Sequence, residues 1–419
     1  MVHLSGAMSA SERNRSEPLF AGSAAAALRT LRGLAAAHGL DQDGALSRID
    51  ARTLLTERAA LHDWNWPTDV SCAGTCRLLN TSDRPLAVNL PRASDRELLP
   101  PWLEADDAEE WGWPEIEARL GARTCAEWIA RGREIGLAVA PADPPPAEPV
   151  PPWRAVFRGR AAGDRALGRR APRILDLSAL WAGPLCAHLL ERCGASVIKV
   201  ESIKRPDGSR FGNALFYGLL NQHKLSIALD LDSAGGVERL HRLIAGADIV
   251  IESSRPRALR HFGVHAEQLV ARQAGLTWVS ITGYGRAEPR SDWIAFGDDA
   301  AVAAGTAELM KQATGKHAFA GDAIADPLTG LYAALAALRS WQAGGGELLE
   351  LSLCGVVQHC IRREMESGAS DLLGRFAAWR SAYAGHRVEV FGAPRTIDGR
   401  VARLGEDNER VFAREEAAC

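Results

Sequence analysis

No stretch of this sequence approaches the ~20 consecutive apolar residues that a membrane-crossing helix requires, and the first 20 residues lack the apolar core of a signal peptide. No membrane partner is expected, and a cytoplasmic location is. An excess of either charge is missing too: 49 basic residues face 52 acidic ones, so no global field favours nucleic acid. Any anion site has to be local. Metal-type spacings are scarce. Of the 8 cysteines, Cys72 and Cys76 are the one close pair among the first seven, and CxxxC without further ligands does not make a zinc site, so no metal is expected. Cys186, Cys193 and Cys354 sit inside apolar patterns, where a thiol acts as a small hydrophobe. None of the 11 histidines falls in a triad or a ligand spacing. The G-x-G-x-x-G fingerprint is absent, which argues against NAD.

What is present is ample apolar content: 47% hydrophobic and 24% charged over 419 residues, enough for two domains or one large domain with an appendage. Seven prolines crowd between Pro141 and Pro152, and the Arg/Gly-rich residues up to 170 show no period, so 141–170 reads as a semi-rigid linker. Upstream, 21–140 reads as a small α+β domain. It has a helix over 24–38 with Leu28, Leu31 and Leu34 on one face, strands at 86–90 and 137–140, and helices near 95–103, 113–120 and 124–135. Residues 1–20 are expected to be disordered. Downstream, over 171–419, β-type runs at Ile174, Val197, Leu225, Ile249 and Leu276 alternate with helical patterns. That alternation predicts an α/β fold, a Rossmann-like parallel sheet with helices on both faces.

The most informative block is 173–201, RILDLSALWAGPLCAHLLERCGASVIKVE. A strand over 174–180 stops at Trp181-Ala182-Gly183-Pro184, where Gly183 allows close backbone approach and Pro184 suits a first helical turn. Leu185, Cys186, Leu189, Leu190 and Cys193 then mark one buried helix face, Gly194 ends it, and 196–200 is a second strand. The helix start of such a βαβ unit aims bare N–H groups at an anion, which suits a phosphate-rich ligand.

Together with NQHKLS at 221–226, LDLD at 229–232, ADIVIE at 247–252, SITGYG at 280–285 and ADPLTG at 325–330, this block resembles the class III CoA-transferase family over roughly 173–353. That family includes formyl-CoA and carnitine CoA-transferases and alpha-methylacyl-CoA racemases. The resemblance implies a CoA-binding Rossmann-like catalytic domain at 171–419, coenzyme A or acyl-CoA as substrate, a carboxylic acid as the other reactant, and a homodimer. The order differs: residues 84–141 resemble the family's small domain, here placed before the large one, and 392–408 resembles its closing segment.

Asp326, followed by Pro327 and an apolar series, sits where a helix N-cap would, and capping alone accounts for such a residue. The resemblance instead implies that Asp326 is the nucleophile, held ionised by the helix dipole, attacking a thioester to give an anhydride and then an aspartyl-CoA thioester. Oxyanion donors are sought at Gly330 or at Gly344-Gly345-Gly346, the latter also reading as a plain helix end. Asp298 and Asp299 stand where racemases of the family resemble Gly-His-Asp. The missing histidine favours transfer over racemisation, with loop or cap roles left open for both aspartates. By the same resemblance Lys204 or Arg205 lies beside the adenine or its ribose phosphate, Lys224 and Arg260 near phosphates, and Trp181 and Ala182 at the pantetheine entrance, although solvated basic side chains look no different in sequence. The expected activity is CoA transfer through an aspartyl intermediate. The alternatives are an acyl-CoA racemase or epimerase and a non-catalytic acyl-CoA-binding relative.

Overall fold

A computed structural model describes residues 17–163, 171–366 and 368–416 of the chain. The first strands belong to a small antiparallel sheet: β1 (Cys76–Asn80), β2 (Pro85–Asn89) and β3 (Ala138–Pro141), in the order β1-β2-β3. Between β2 and β3 run helices Leu99–Leu103, Trp113–Leu120 and Cys125–Ile135, the last closed at its start by a Thr124/Glu127 capping box. Trp102 and Trp128 meet edge-on at 5.7 Å in the core of this unit.

The large sheet has seven strands, ordered β4-β10-β9-β8-β5-β6-β7. They are β4 (Arg154–Arg158), β5 (Arg173–Asp176), β6 (Ser196–Ser202), β7 (Leu225–Leu229), β8 (Ile249–Glu252), β9 (Thr277–Thr282) and β10 (Glu347–Ser352). All pairings are parallel except that of β4 with β10. Strands buried on both faces read as unbroken apolar runs. Accordingly Ile249 and Ile251 enter one core while Val250 enters the other.

The first core holds helix Ala182–Arg192, the almost wholly buried helix Ala325–Gln342 and helix Leu353–Glu366; the second holds Ala234–Ala245 and Ala266–Arg272. Gly330 lets the first two helices touch, since a Cβ there would lie 2.8 Å from the Ala182 carbonyl oxygen. No helix among the described residues is long and apolar enough to cross a membrane.

Four boundaries differ from expectation. Helices Ala21–Ala37 and Ala51–Leu61 pack into the first core of the large sheet, so the expected 21–140 unit divides, and its self-contained part is the β1–β3 sheet with its helices. The expected linker contains β4, whose alternating half-exposed pattern forms a sheet edge. Of the stretch expected to be disordered, residues 1–16 lie outside the described residues, and Leu19 and Phe20 are buried. The strand expected over 174–180 ends at Asp176, which frees 177–180 to turn across the sheet's carboxyl end.

Candidate active site

In an open parallel sheet a crevice opens at the strands' carboxyl ends, where neighbouring connections run opposite ways. Here β5 sits between β6 and β8, and the segments leaving β5, β8 and β9 surround a cleft of about 240 Å³. Leu180 and Ala182 line it after β5, Ser253, Ser254 and Arg255 after β8, and Thr282 and Gly283 after β9, with Arg92 and Asp326 on its other walls. The turn after β5 is tight. Leu180 takes a left-handed φ of 70° and donates its N–H to Asp207 at 3.0 Å, while a Cβ on Gly183 would strike the Ser178 side chain at 2.2 Å.

Asp326 is the second residue of helix Ala325–Gln342; the cap position belongs to Ile324, so the capping role expected of Asp326 is not the one it has. Ala323, just upstream, has φ 39° and donates its N–H to Asp298 at 3.0 Å, which pins the turn that delivers Asp326. Gly297 clears the space beside it: a Cβ there would lie 2.1 Å from Asp326 Oδ2. The variant Gly297→Ala is expected to displace this carboxylate and lower turnover by about a hundredfold. Turnover within a few-fold of the parent in a steady-state assay would show that the carboxylate's position is immaterial.

The electrostatics also depart from expectation. Burial pushes the Asp326 carboxyl up to about 6, and Asp322 adds to the rise, whereas Arg58 and the amides of Ala182 and Gly297 pull it down. Desolvation outweighs the groups that favour the anion, and the carboxyl still lies below neutral pH, where the anion prevails. Asp298 and Asp299, both buried in the first turn of helix Gly297–Ala303, are each pushed up to about 7, chiefly by burial. Asp299 accepts from Asn89 Nδ2 at 2.8 Å and from the Phe296 N–H at 3.0 Å, tying β2 of the small sheet to this helix.

The cation of the cluster is Arg58. It donates Nε to Asp322 Oδ2 at 2.9 Å, makes a second hydrogen bond to Asp322 Oδ1, and lies 4.8 Å from the Trp181 ring centre and 5.3 Å from that of Trp64. Burial opposes its charge, but Asp322, Asp298 and Asp326 hold it above its ordinary range.

A carboxyl whose folded pKa is raised keeps its proton between about pH 4 and 7 while the unfolded chain releases it, so stability falls as pH rises through that window. Asp298→Asn, which retains an acceptor for the Ala323 N–H, is expected to flatten this decline. Urea midpoints of parent and variant across pH 4 to 8 check it; parallel curves would refute the assignment.

The structure thus brings Asp326, Asp298, Asp299, Trp181 and Ala182 together. Lys224 is elsewhere: it is buried, and its Nζ is occupied by Asp176 at 2.9 Å, the Pro184 carbonyl at 3.0 Å and Asn221 at 3.1 Å, which leaves no proton for a phosphate. Lys204, Arg205 and Arg260 lie outside the cleft lining; Lys204 pairs with Asp232, and Arg260 stands 3.7 Å from Glu267. Gly330 is a helix-contact residue within a helix, not an oxyanion donor. Gly344, Gly345 and Gly346, with φ of 100°, 64° and 73°, turn the chain into the start of β10, at the sheet end opposite the cleft.

Sequence reasoning passed over Arg58, Asp322, Asn89, Arg92 and Arg255. Asp322 lies four residues before Asp326, a spacing that could have been noticed; nothing in the sequence around Arg58 marks it.

The sequence model of CoA-transferase family III matches residues 172–414. Succinyl-CoA--D-citramalate CoA-transferase of Chloroflexus aurantiacus is 31% identical over 192 residues, 43% of this chain and 48% of that one. Human succinyl-CoA:glutarate CoA-transferase is 29% identical over 252 residues, covering 58% and 57%. The chain spans about half the length of the curated relatives it matches. A CAIB/BAIF family protein from Brucella suis superposes with a TM-score of 0.39 at 25% identity, over 52% of this chain and 58% of that one.

Proposed function

Because the chain belongs to CoA-transferase family III, we propose that it moves CoA from an acyl-CoA donor to a carboxylic acid, with Asp326 as the nucleophile. The observation that carries this reading is a partly buried carboxylate, more basic than an ordinary aspartate yet ionised at neutral pH, lining a cleft at the carboxyl end of a parallel sheet.

An Asp326 oxygen attacks the thioester carbonyl carbon, the C–S bond breaks, and CoA leaves as the thiolate from a mixed anhydride. The thiolate attacks the aspartyl carbonyl, releasing the donor acid as a carboxylate and leaving an aspartyl-CoA thioester. The acceptor carboxylate repeats both steps in reverse order, so no net proton is taken up or lost. The Arg58 charge and the amides of Ala182 and Gly297 act on the Asp326 carboxylate itself and favour its anion before attack; of these, Ala182 lines the cleft.

One observation favours a second reading. Asp298, with its carboxyl near 7, has the basicity of a general base for racemisation beside a thioester. It is turned onto the Ala323 N–H and does not line the cleft, which supports transfer over proton abstraction.

Lys204, Arg205 and Arg260 remain the proposed phosphate contacts at the surface, and the β1–β3 unit the proposed counterpart of the family's small domain, set before the large one. A cytoplasmic homodimer completes the reading. To test it, the protein is incubated with an acyl-CoA and quenched with hydroxylamine: a hydroxamate at residue 326 supports transfer. Deuterium uptake from solvent at the alpha carbon without an adduct would mean a racemase, and neither outcome a binder.

A further inference from the structure

We infer that Asp299 is a positioning residue that works as a neutral carboxylic acid: its proton sits on Oδ2 and is donated to Asn89 Oδ1, closing an acid–amide ring of two hydrogen bonds that fixes the helix start beside Asp326. The kinetic half of this inference rests on the transferase reading above; the place of the proton does not.

Two orphaned atoms point to the proton. Asp299 Oδ1 takes both hydrogen bonds that the carboxyl receives, from Asn89 Nδ2 at 2.8 Å and from the Phe296 N–H at 3.0 Å. The other oxygen, Oδ2, is buried without a partner, and so is Asn89 Oδ1. Both orphans are acceptors, and they belong to two side chains already joined through their other arms. One proton on Oδ2 turns the carboxyl into a donor and satisfies both, whereas an ionised carboxylate leaves both without a donor. Capping of the helix start needs only Oδ1 and accounts for neither orphan.

The charges nearby argue the same way. Asp299 is wholly buried and makes no ion pair among the described residues. The titratable groups coupled to it, Asp326, Asp298, Tyr284, Cys76 and Cys354, are neutral or negative. Cations of the neighbouring elements are engaged elsewhere: Arg58 with Asp322, Arg92 with Asp95, and Arg133 over the Trp293 ring at 3.8 Å. Burial and the Asp326 charge therefore both favour the protonated form of Asp299.

The ring joins the small unit to the site. Asn89 ends β2, and Asp299 lies in the first turn of helix Gly297–Ala303. Three residues after Asn89, Arg92 lies over the Phe296 ring at 5.6 Å, and both line the cleft. The Phe296 N–H that Asp299 holds immediately precedes Gly297, whose amide acts on the Asp326 carboxylate and whose missing side chain gives that carboxylate room. Without the ring this turn is free to shift, and the amide shifts with it.

The test uses Asp299→Asn, whose amide is both donor and acceptor as the acid is, and Asp299→Ala, which is neither. In the infrared, the difference between parent and Asp299→Asn at about pH 6 is expected to show the C=O stretch of a protonated carboxylic acid. Asp299→Ala is expected to lower kcat for CoA transfer roughly tenfold to a hundredfold with KM little changed, and to move the rise in rate with pH upward as the Gly297 amide ceases to favour the Asp326 anion. Asp299→Asn is expected to keep turnover within a few-fold of the parent, with the parent's profile. A difference spectrum with carboxylate bands and no acid band overturns the inference, whether or not the alanine variant folds. An alanine variant with the parent's rate and profile overturns the positioning role. An asparagine variant as impaired as the alanine one overturns it as well, because residue 299 would then have to carry a charge. If hydroxylamine traps no adduct at Asp326 in the parent, the transferase reading is what fails, and the infrared band still decides where the proton sits.

Discussion

Replacing Asp326 by asparagine is expected to abolish CoA transfer, with a loss of about 10⁴-fold or more, and to remove the hydroxylamine-trapped adduct. The choice of asparagine separates two roles that alanine would confuse. An amide fills the same space beside Gly297 and tolerates the start of a helix about as well as aspartate does. If residue 326 merely shaped the helix start, the variant would turn over almost normally. An amide oxygen, however, is too weak a nucleophile to open a thioester. The parent's rate should rise with pH through about 6 as the carboxyl ionises, because only the anion attacks. Retained activity in Asp326→Asn, or a flat profile between pH 5 and 7 in the parent, would refute the nucleophilic role.

Arg58→Met is expected to lower stability by about 3–5 kcal/mol, the usual cost of leaving one charge of a buried pair without its partner. Asp322 is fully buried and depends on this guanidinium, which is itself clasped between the Trp64 and Trp181 rings. A double variant, Arg58→Met with Asp322→Asn, should recover part of the lost stability, since the orphaned anion is gone. Turnover should not return with it. Without the arginine the Asp326 carboxyl loses a major influence holding it down, so the rise in rate with pH should move to higher pH in any residual activity. Urea unfolding and a rate–pH profile on the parent and both variants check both halves. A single variant as stable as the double one would mean that the pair contributes little.

The parallel sheet was legible because its strands are covered on both sides and therefore appear as apolar runs between helical patterns. The first N-terminal helix was legible as a helix but not in its placement: the stripe of Leu28 and Leu31 says that a face is buried and is silent about what buries it, and helix Ala51–Leu61 was not read at all. Their place before the Pro-rich stretch, in one run with the small sheet, suggested the wrong neighbour. β4 escaped because an edge strand of alternating exposure, rich in arginine, lacks the signal of its interior companions.

The site divides the same way. Asp326 stood out within a local pattern, whereas its counter-charge Arg58 meets Asp322 across 264 positions, a pairing that no local pattern encodes. Lys224 misled for a related reason. The family resemblance assigned it to a phosphate, and only the fold brings the carboxylate of Asp176 against it.

Arg58 and Asn89 lie outside the stretch 172–414 that carries the family signature, yet both reach into its acidic cluster. The hallmark region is therefore electrostatically incomplete by itself. Cut out or grafted onto another protein, it would leave Asp322 without its guanidinium and Asp299 without the Asn89 amide, so its acids would have to hold protons to coexist.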